Sequence, residues 1–213
     1  MSLNYNIDNL PINQYIFYMS KPTGSNIENL ERTRAHLLAV ATSCFAEHGY
    51  AHCSTNLIIR NAKSSRGSLY YHFQDKEALF KNVFDWECEQ VAHQIQSHSY
   101  KGIDPKSDLI EGCVVYLEAF THKRFAQILL IDGPHVLGLE YCRSRDAETV
   151  YQILYKGVLD IFADVEKTQT ISDFLSGALD TYALRIATAN DRKMSFEKYA
   201  SAFRDLANNI LSE

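Results

Sequence analysis

Apolar residues recur along most of the chain at spacings of three and four, the period of a helix with one buried face, rather than in the alternation of a strand. Leu37, Leu38, Ala41, Cys44 and Phe45 form such a stripe. Gly49 stands where a residue of positive φ ends a helix, which predicts a first helix over roughly 30–48. Ser54 or Thr55 can cap a short second helix whose Leu57, Ile58 and Ala62 face inward, and Lys63-Ser-Ser65 interrupts it. Ser65 can cap a third helix over 66–73, with Leu69 and Phe73 on one side. Two short helices across a polar break have helix-turn-helix proportions.

Asp75 caps a long fourth helix carrying Leu79, Phe80, Val83, Phe84, Cys88, Val91 and Ile95. Beyond a break at 101–105, further helices are predicted over 106–122, 124–131, 135–164, 171–189 and 194–211. The expected fold is all-α, an N-terminal three-helix helix-turn-helix domain followed by a C-terminal helical domain. The expected divisions are a weakly ordered arm over 1–27, broken by Pro11, Pro22 and Gly24, the helix-turn-helix domain over 28–75 and the helical domain over 76–213.

With 213 residues and 46% apolar content the chain can bury a core, and its formal charge of −5 argues against a protein that binds polyanions over its whole surface. The charge is uneven. Residues 28–73 hold Arg32, Arg34, Arg60, Lys63 and Arg66 against Glu28, Glu31 and Glu47, so the acidity lies in the remainder. A small basic head on an acidic body suits a protein that offers one face to phosphates. The five cysteines include no Cys-x-x-Cys pair, as expected in a reducing cytosol. The longest strongly apolar stretch, Ile128–Ile131, is far short of the roughly 20 residues that span a bilayer, and no basic segment precedes the apolar patch at 15–19. A soluble cytoplasmic protein is expected, without membrane association.

Cys44, His48, His52 and Cys53 have a superficially zinc-like spacing, yet Cys44 falls on the buried stripe of the first helix, so no metal is expected there. Cys113 and Cys142 are read as inert thiols. The chain has no glycine-rich phosphate loop, no paired catalytic carboxylates at a recognisable spacing and no nucleophile elbow, so neither an enzyme nor a cofactor is expected.

The third helix, Ser65-Arg-Gly-Ser-Leu-Tyr-Tyr-His-Phe73, carries the chemistry. Gly67 removes bulk where backbone approaches a groove, Arg66 can reach a guanine edge or a phosphate, and Ser68, Tyr70, Tyr71 and His72 offer donors. This helix, together with Cys44-Phe-Ala-Glu-His-Gly-Tyr50, Ser54–Ala62 and Asp75-Lys-Glu-Ala-Leu79, closely resembles the DNA-binding domain of the TetR family of bacterial transcriptional regulators. Phe125–Gly138 and Ser176-Gly-Ala-Leu179 resemble, more loosely, segments of one group within it.

The resemblance implies a homodimer whose recognition helices enter successive major grooves of a palindrome-like operator in double-stranded DNA. Arg66, Gly67, Ser68, Tyr70, Tyr71 and His72 match the family's DNA-facing positions; Ser54, Thr55 and Lys76 match its phosphate-contacting ones. Lys63-Ser64 departs from the family's Gly-Val turn, at a cost of about 1 kcal/mol if Lys63 takes positive φ, and Lys63 gains a phosphate contact in exchange. The implied function is a repressor released from its operator by a small molecule bound in the C-terminal domain. A helical protein-interaction module, or a ligand-binding protein with a vestigial head, is the alternative.

Tyr116, Phe120, His135, Tyr141, Tyr151 and Tyr155 are the candidate pocket residues, polar-tipped aromatics and a histidine on the middle helices. The last two helices carry apolar stripes broader than one small domain requires, and the resemblance favours a four-helix bundle between two copies. Phe174, Ala178, Tyr182, Phe196, Tyr199, Phe203 and Ile210 are its candidate residues.

Overall fold

The computed structural model describes residues 26–98 and 104–212, and the expected arm at 1–27 lies almost wholly outside them. Every regular element among the described residues is helical. They divide into two compact units, one ending at Val83 and the other beginning at Phe84.

The first unit contains α1 (Asn26–His52), α2 (Thr55–Asn61), α3 (Arg66–His72) and the first two turns of α4 (Lys76–His98). Helix α1 is interrupted at Gly49, whose φ of 72° and ψ of 163° no side-chain-bearing residue adopts readily. Ser54 and Ser65 cap α2 and α3 by accepting from the backbone N–H groups of Leu57 and Ser68, and Asp75 accepts from Ala78 at 2.7 Å to start α4. Between α2 and α3 the chain turns through Lys63, which takes a φ of 49°. The His36 ring lies 3.1 Å from the Ala62 carbonyl and ties this turn to α1. The core of the unit is Leu37, Ala41, Phe45, Ile58, Leu69, Phe73, Leu79 and Phe80. Phe80 meets Phe45 edge-on, with ring centres 5.1 Å apart, and Tyr50 at 5.0 Å.

Cys44 and Cys53 are buried, while His48 and His52 are exposed. The Cys53 thiol bonds to Cys44, whose sulfur also accepts from Asn61 at 3.3 Å; these bonds hold the Cys44 thiol below its ordinary range and raise that of Cys53.

The second unit continues α4 and adds α5 (Pro105–Ala119), α6 (Lys123–Phe125), a π-helical stretch (Ala126–Asp132), α7 (Gly133–Val136), α8 (Leu139–Glu148), α9 (Val150–Phe162), α10 (Val165–Ala187) and α11 (Arg192–Ile210). Val91, Leu109, Leu117, Phe125, Val158, Leu179 and Ile186 belong to one continuous core. The predicted single helix over 135–164 is in fact broken twice, at Gly138 (φ 83°) and at Thr149 (φ −118°, ψ −91°), and it ends in a left-handed Ala163. Helix α10 begins six residues earlier than predicted because Asp164 caps it through Lys167 N–H. Gly133 is required by close approach: a Cβ there would lie 2.5 Å from the Phe84 ring.

Phe203 does not lie on an outward stripe. It is 2% exposed within the core of its own chain, so a charge placed there tests folding and not assembly.

Glu87 on α4 is fully buried, with Arg124 Nε 2.8 Å from its carboxylate. Burial outweighs the attraction of that guanidinium and pushes the Glu87 carboxyl up to about 7. The folded chain therefore holds a proton that the unfolded chain gives up near pH 4.5, and stability falls as pH rises from there through about 7. Glu87→Gln cannot ionise, so between pH 5.5 and 8.5 its melting temperature should gain on the wild type by roughly 4 °C or more. Thermal denaturation over a pH series checks this, and parallel curves would show that Glu87 is ionised throughout.

Candidate functional site

On α3 the buried and open positions separate cleanly. Leu69 and Phe73 enter the core at 1% and 3% exposure, while Arg66, Gly67, Tyr70 and Tyr71 face outward, Tyr71 at 70%. Ser68 and His72 flank this face, half-buried. Burial, reinforced by the charge of Arg34, lowers the His72 imidazole below its ordinary range and favours its neutral form. A Cβ on Gly67 would meet nothing closer than the Ser65 hydroxyl at 3.9 Å, so the glycine leaves open surface and is not needed for packing.

The first turn of α2 lies beside this face. Arg66 Nη2 donates to Asn56 Oδ1 at 3.3 Å, and Thr55 Oγ1 lies 3.4 Å from the Tyr70 hydroxyl. Asn56 is exposed, and the sequence reading did not single it out; its place two residues after the Ser54 cap was the available signal. Lys63 stands exposed at the turn. Lys76 is differently engaged: its Nζ donates to the Tyr50 carbonyl at 2.5 Å and sits 4.0 Å above that ring, tying the end of α1 to the start of α4.

The second unit contains a cavity of about 880 Å³ lined by α4, α5, α8, α9 and α10. Of the six candidate pocket residues, Tyr116 and Tyr151 line it. Phe120 is buried edge-on against Tyr116, Tyr155 packs near Tyr151, His135 Nδ1 lies 2.7 Å from the Ile131 carbonyl, and the Tyr141 hydroxyl donates to Asp85 at 2.6 Å. The sequence reading missed the acids of the lining, among them Asp146 and Asp180. Burial, with Asp180 nearby, pushes Asp146 up to about 6, and burial also raises Asp180 against the bond it accepts from Tyr116. Cys113 borders the same cavity, and burial pushes its thiol up to about 12, which keeps it protonated and unreactive.

The first unit is thus a helix-turn-helix with an outward cationic and phenolic helix, and the helical unit that follows it in the chain encloses a cavity. The profile described as "Bacterial regulatory proteins, tetR family" matches residues 37–83, and "Tetracyclin repressor-like, C-terminal domain" matches residues 107–210. The HTH-type transcriptional repressor AcnR of Corynebacterium diphtheriae is 42% identical over 171 residues, spanning 80% of this chain and 88% of that protein. The regulator YuxN of Bacillus subtilis is 26% identical over 129 residues, and there the match spans 59% of this chain and only 44% of the relative. A crystal structure of a TetR-family regulator from Pectobacterium atrosepticum superposes with a TM-score of 0.73 at 26% identity, covering 89% of this chain and 99% of that one. The chain belongs to the TetR family of regulatory proteins. Among the described residues no helix is long and apolar enough to cross a membrane.

The positive φ of Lys63 gives two opposed effects in one substitution. Lys63→Gly should stabilise the fold by about 1 kcal/mol, raising the melting temperature by roughly 2–4 °C. It should also weaken DNA binding and flatten the salt dependence by about one unit of slope, the expected mark of the phosphate contact that the sequence predicts for Lys63. Calorimetry and salt-titrated DNA binding on the same preparation separate the two effects.

Proposed function

We propose that this protein is a cytoplasmic, homodimeric repressor without enzymatic activity, which occupies a palindrome-like operator and leaves it when a small molecule fills the cavity of the second unit. The separation of faces on α3 carries this reading: its apolar side chains are spent on the core, and Arg66, Tyr70 and Tyr71 are left with no packing role. In this reading Arg66, Gly67, Ser68, Tyr70, Tyr71 and His72 face the major groove, while Ser54, Thr55, Lys63 and Lys76 approach the flanking phosphates. Asn56 fixes the guanidinium of Arg66 toward its target. The effector acts by favouring an arrangement of the two heads that no longer matches the groove spacing.

A second copy of the chain covers the apolar surface that α10 and α11 leave open. Phe174 is 61% exposed, and Leu184, Met194 and Leu206 stand open on the same two helices. Tyr182 and Tyr199 pair their rings at 4.7 Å and hold the two helices together. Packed about a two-fold axis, these helices and their counterparts form a four-helix bundle, with Phe174, Ala178, Tyr182, Phe196, Tyr199 and Ile210 contributing.

Arg66→Ala and Tyr71→Ala should each weaken binding to a selected operator by about 1–3 kcal/mol with the helical content unchanged. Gel-shift titrations at matched salt check this, and equal affinities would remove α3 from the interface. Phe174→Asp should leave a folded monomer that loses the full operator, since an unpaired charge buried twice across a two-fold axis costs several kcal/mol. Light scattering on both forms decides the point; a wild type that is monomeric at micromolar concentration places the interface elsewhere.

A further inference from the structure

The chemistry of the cavity lining narrows what it can hold. Seven carboxylates line it against a single lysine, Lys156. Several of the acids are already committed: Glu89 and Glu148 pair with Arg145, and Asp104 caps α5. Asp146 and Asp180 are different. The Asp146 carboxylate has no hydrogen-bond or ion-pair partner among the described residues, only its backbone carbonyl accepting from Thr149, whereas Asp180 accepts from the Tyr116 hydroxyl at a long 3.4 Å and faces the charge of Arg143. Asp180 lies close enough to raise the cost of ionising Asp146, and both border the cavity.

Arg143 faces Asp180 but no cation among the described residues faces Asp146, and a lining of seven carboxylates and one lysine favours a cation in the volume beside it. Tyr116, buried to nine-tenths, and Tyr151 add aromatic surface to the same wall, and Leu109, Ile153 and Leu179 make the rest apolar. Among the described residues no group of three or more His, Cys, Asp or Glu side chains could hold a metal ion, so the occupant carries its own bulk as well as its charge.

We propose that the cavity binds an organic ammonium ion with an apolar or aromatic body, its charged end between Asp146 and Asp180 and its body against Tyr116 and the aliphatic wall. This rests on the reading of the cavity as the effector site, and deepens it by naming the ligand class.

The test compares three probes that share one naphthalene ring by titration calorimetry on the full chain: (1-naphthylmethyl)trimethylammonium, 1-naphthylmethanol and the carboxylate 1-naphthaleneacetate, with magnesium ion alone as a fourth arm. The ammonium ion should bind at least tenfold more tightly than the alcohol or the carboxylate, and magnesium should give no saturable heat. Asp146→Asn and Asp180→Asn should each lower affinity for the ammonium ion about tenfold and change that for the alcohol less than twofold, the alcohol serving as the measure of an intact cavity. Equal or tighter binding of the alcohol or the carboxylate overturns the proposal. So does saturable magnesium binding, undiminished affinity in both variants, or no binding of any probe. Release of operator DNA is measured separately with the same probes. A selective ammonium site that leaves DNA occupancy untouched overturns the effector reading and keeps the ligand class, whereas release by the carboxylate does the reverse.

Discussion

The first unit depends on holding two seven-residue helices in place with side chains from only one of their faces. Helices of that length are unstable alone, because nucleation costs more than two turns of hydrogen bonds return. Side-chain caps at Ser54 and Ser65 satisfy N–H groups that no internal carbonyl reaches, and burial of Ile58, Leu69 and Phe73 fixes both helices against α1. The aromatic cluster of Phe45, Tyr50 and Phe80 secures α1 to the start of α4. Only after these contacts are made is the outer face of α3 free of structural duty. A side chain that does not pack can be chosen for the groove it meets.

The second unit solves a different problem, enclosing space without collapsing on it. Its core is continuous, yet α4, α5, α8, α9 and α10 stand far enough apart to leave about 880 Å³. Ion pairs brace the helices of this unit. Arg145 reaches Asp85, Glu89 and Glu148, and Arg204 grips Glu111 through two bonds of 2.9 and 3.0 Å between α11 and α5. Such arrangements confer geometry more than stability, since exposed pairs contribute little.

Much of the first unit is legible in the sequence because its signals are local. Gly49, the caps at Ser54, Ser65 and Asp75, and the strained turn at Lys63 each act within a few residues. The second unit hides more. Thr149 breaks the helix with no glycine or proline to announce it, and its hydroxyl bonds back to the Arg145 carbonyl at 2.7 Å. The outward and inward stripes of α11 are both apolar, so periodicity marks Phe203 as buried without saying by which neighbour. Carboxylates on helices ordinarily read as solvated surface, and that Asp146 and Asp180 border the cavity follows from where α8 and α10 lie and not from any spacing in the sequence. Aromatic residues drew attention instead, and only Tyr116 and Tyr151 of those six border the cavity.

The π-helical stretch at Ala126–Asp132 sets a register. A π turn holds one residue more than an α turn, so each residue after it is rotated by about 100° from where an unbroken α-helix would place it. That rotation aims Gly133 at the ring of Phe84, where no larger residue fits. Loss of one residue from the stretch would restore a regular helix and swing a side-chain-bearing neighbour onto Phe84. The extra residue and the glycine thus act together: the π turn sets which position meets Phe84, and the glycine leaves room for its ring.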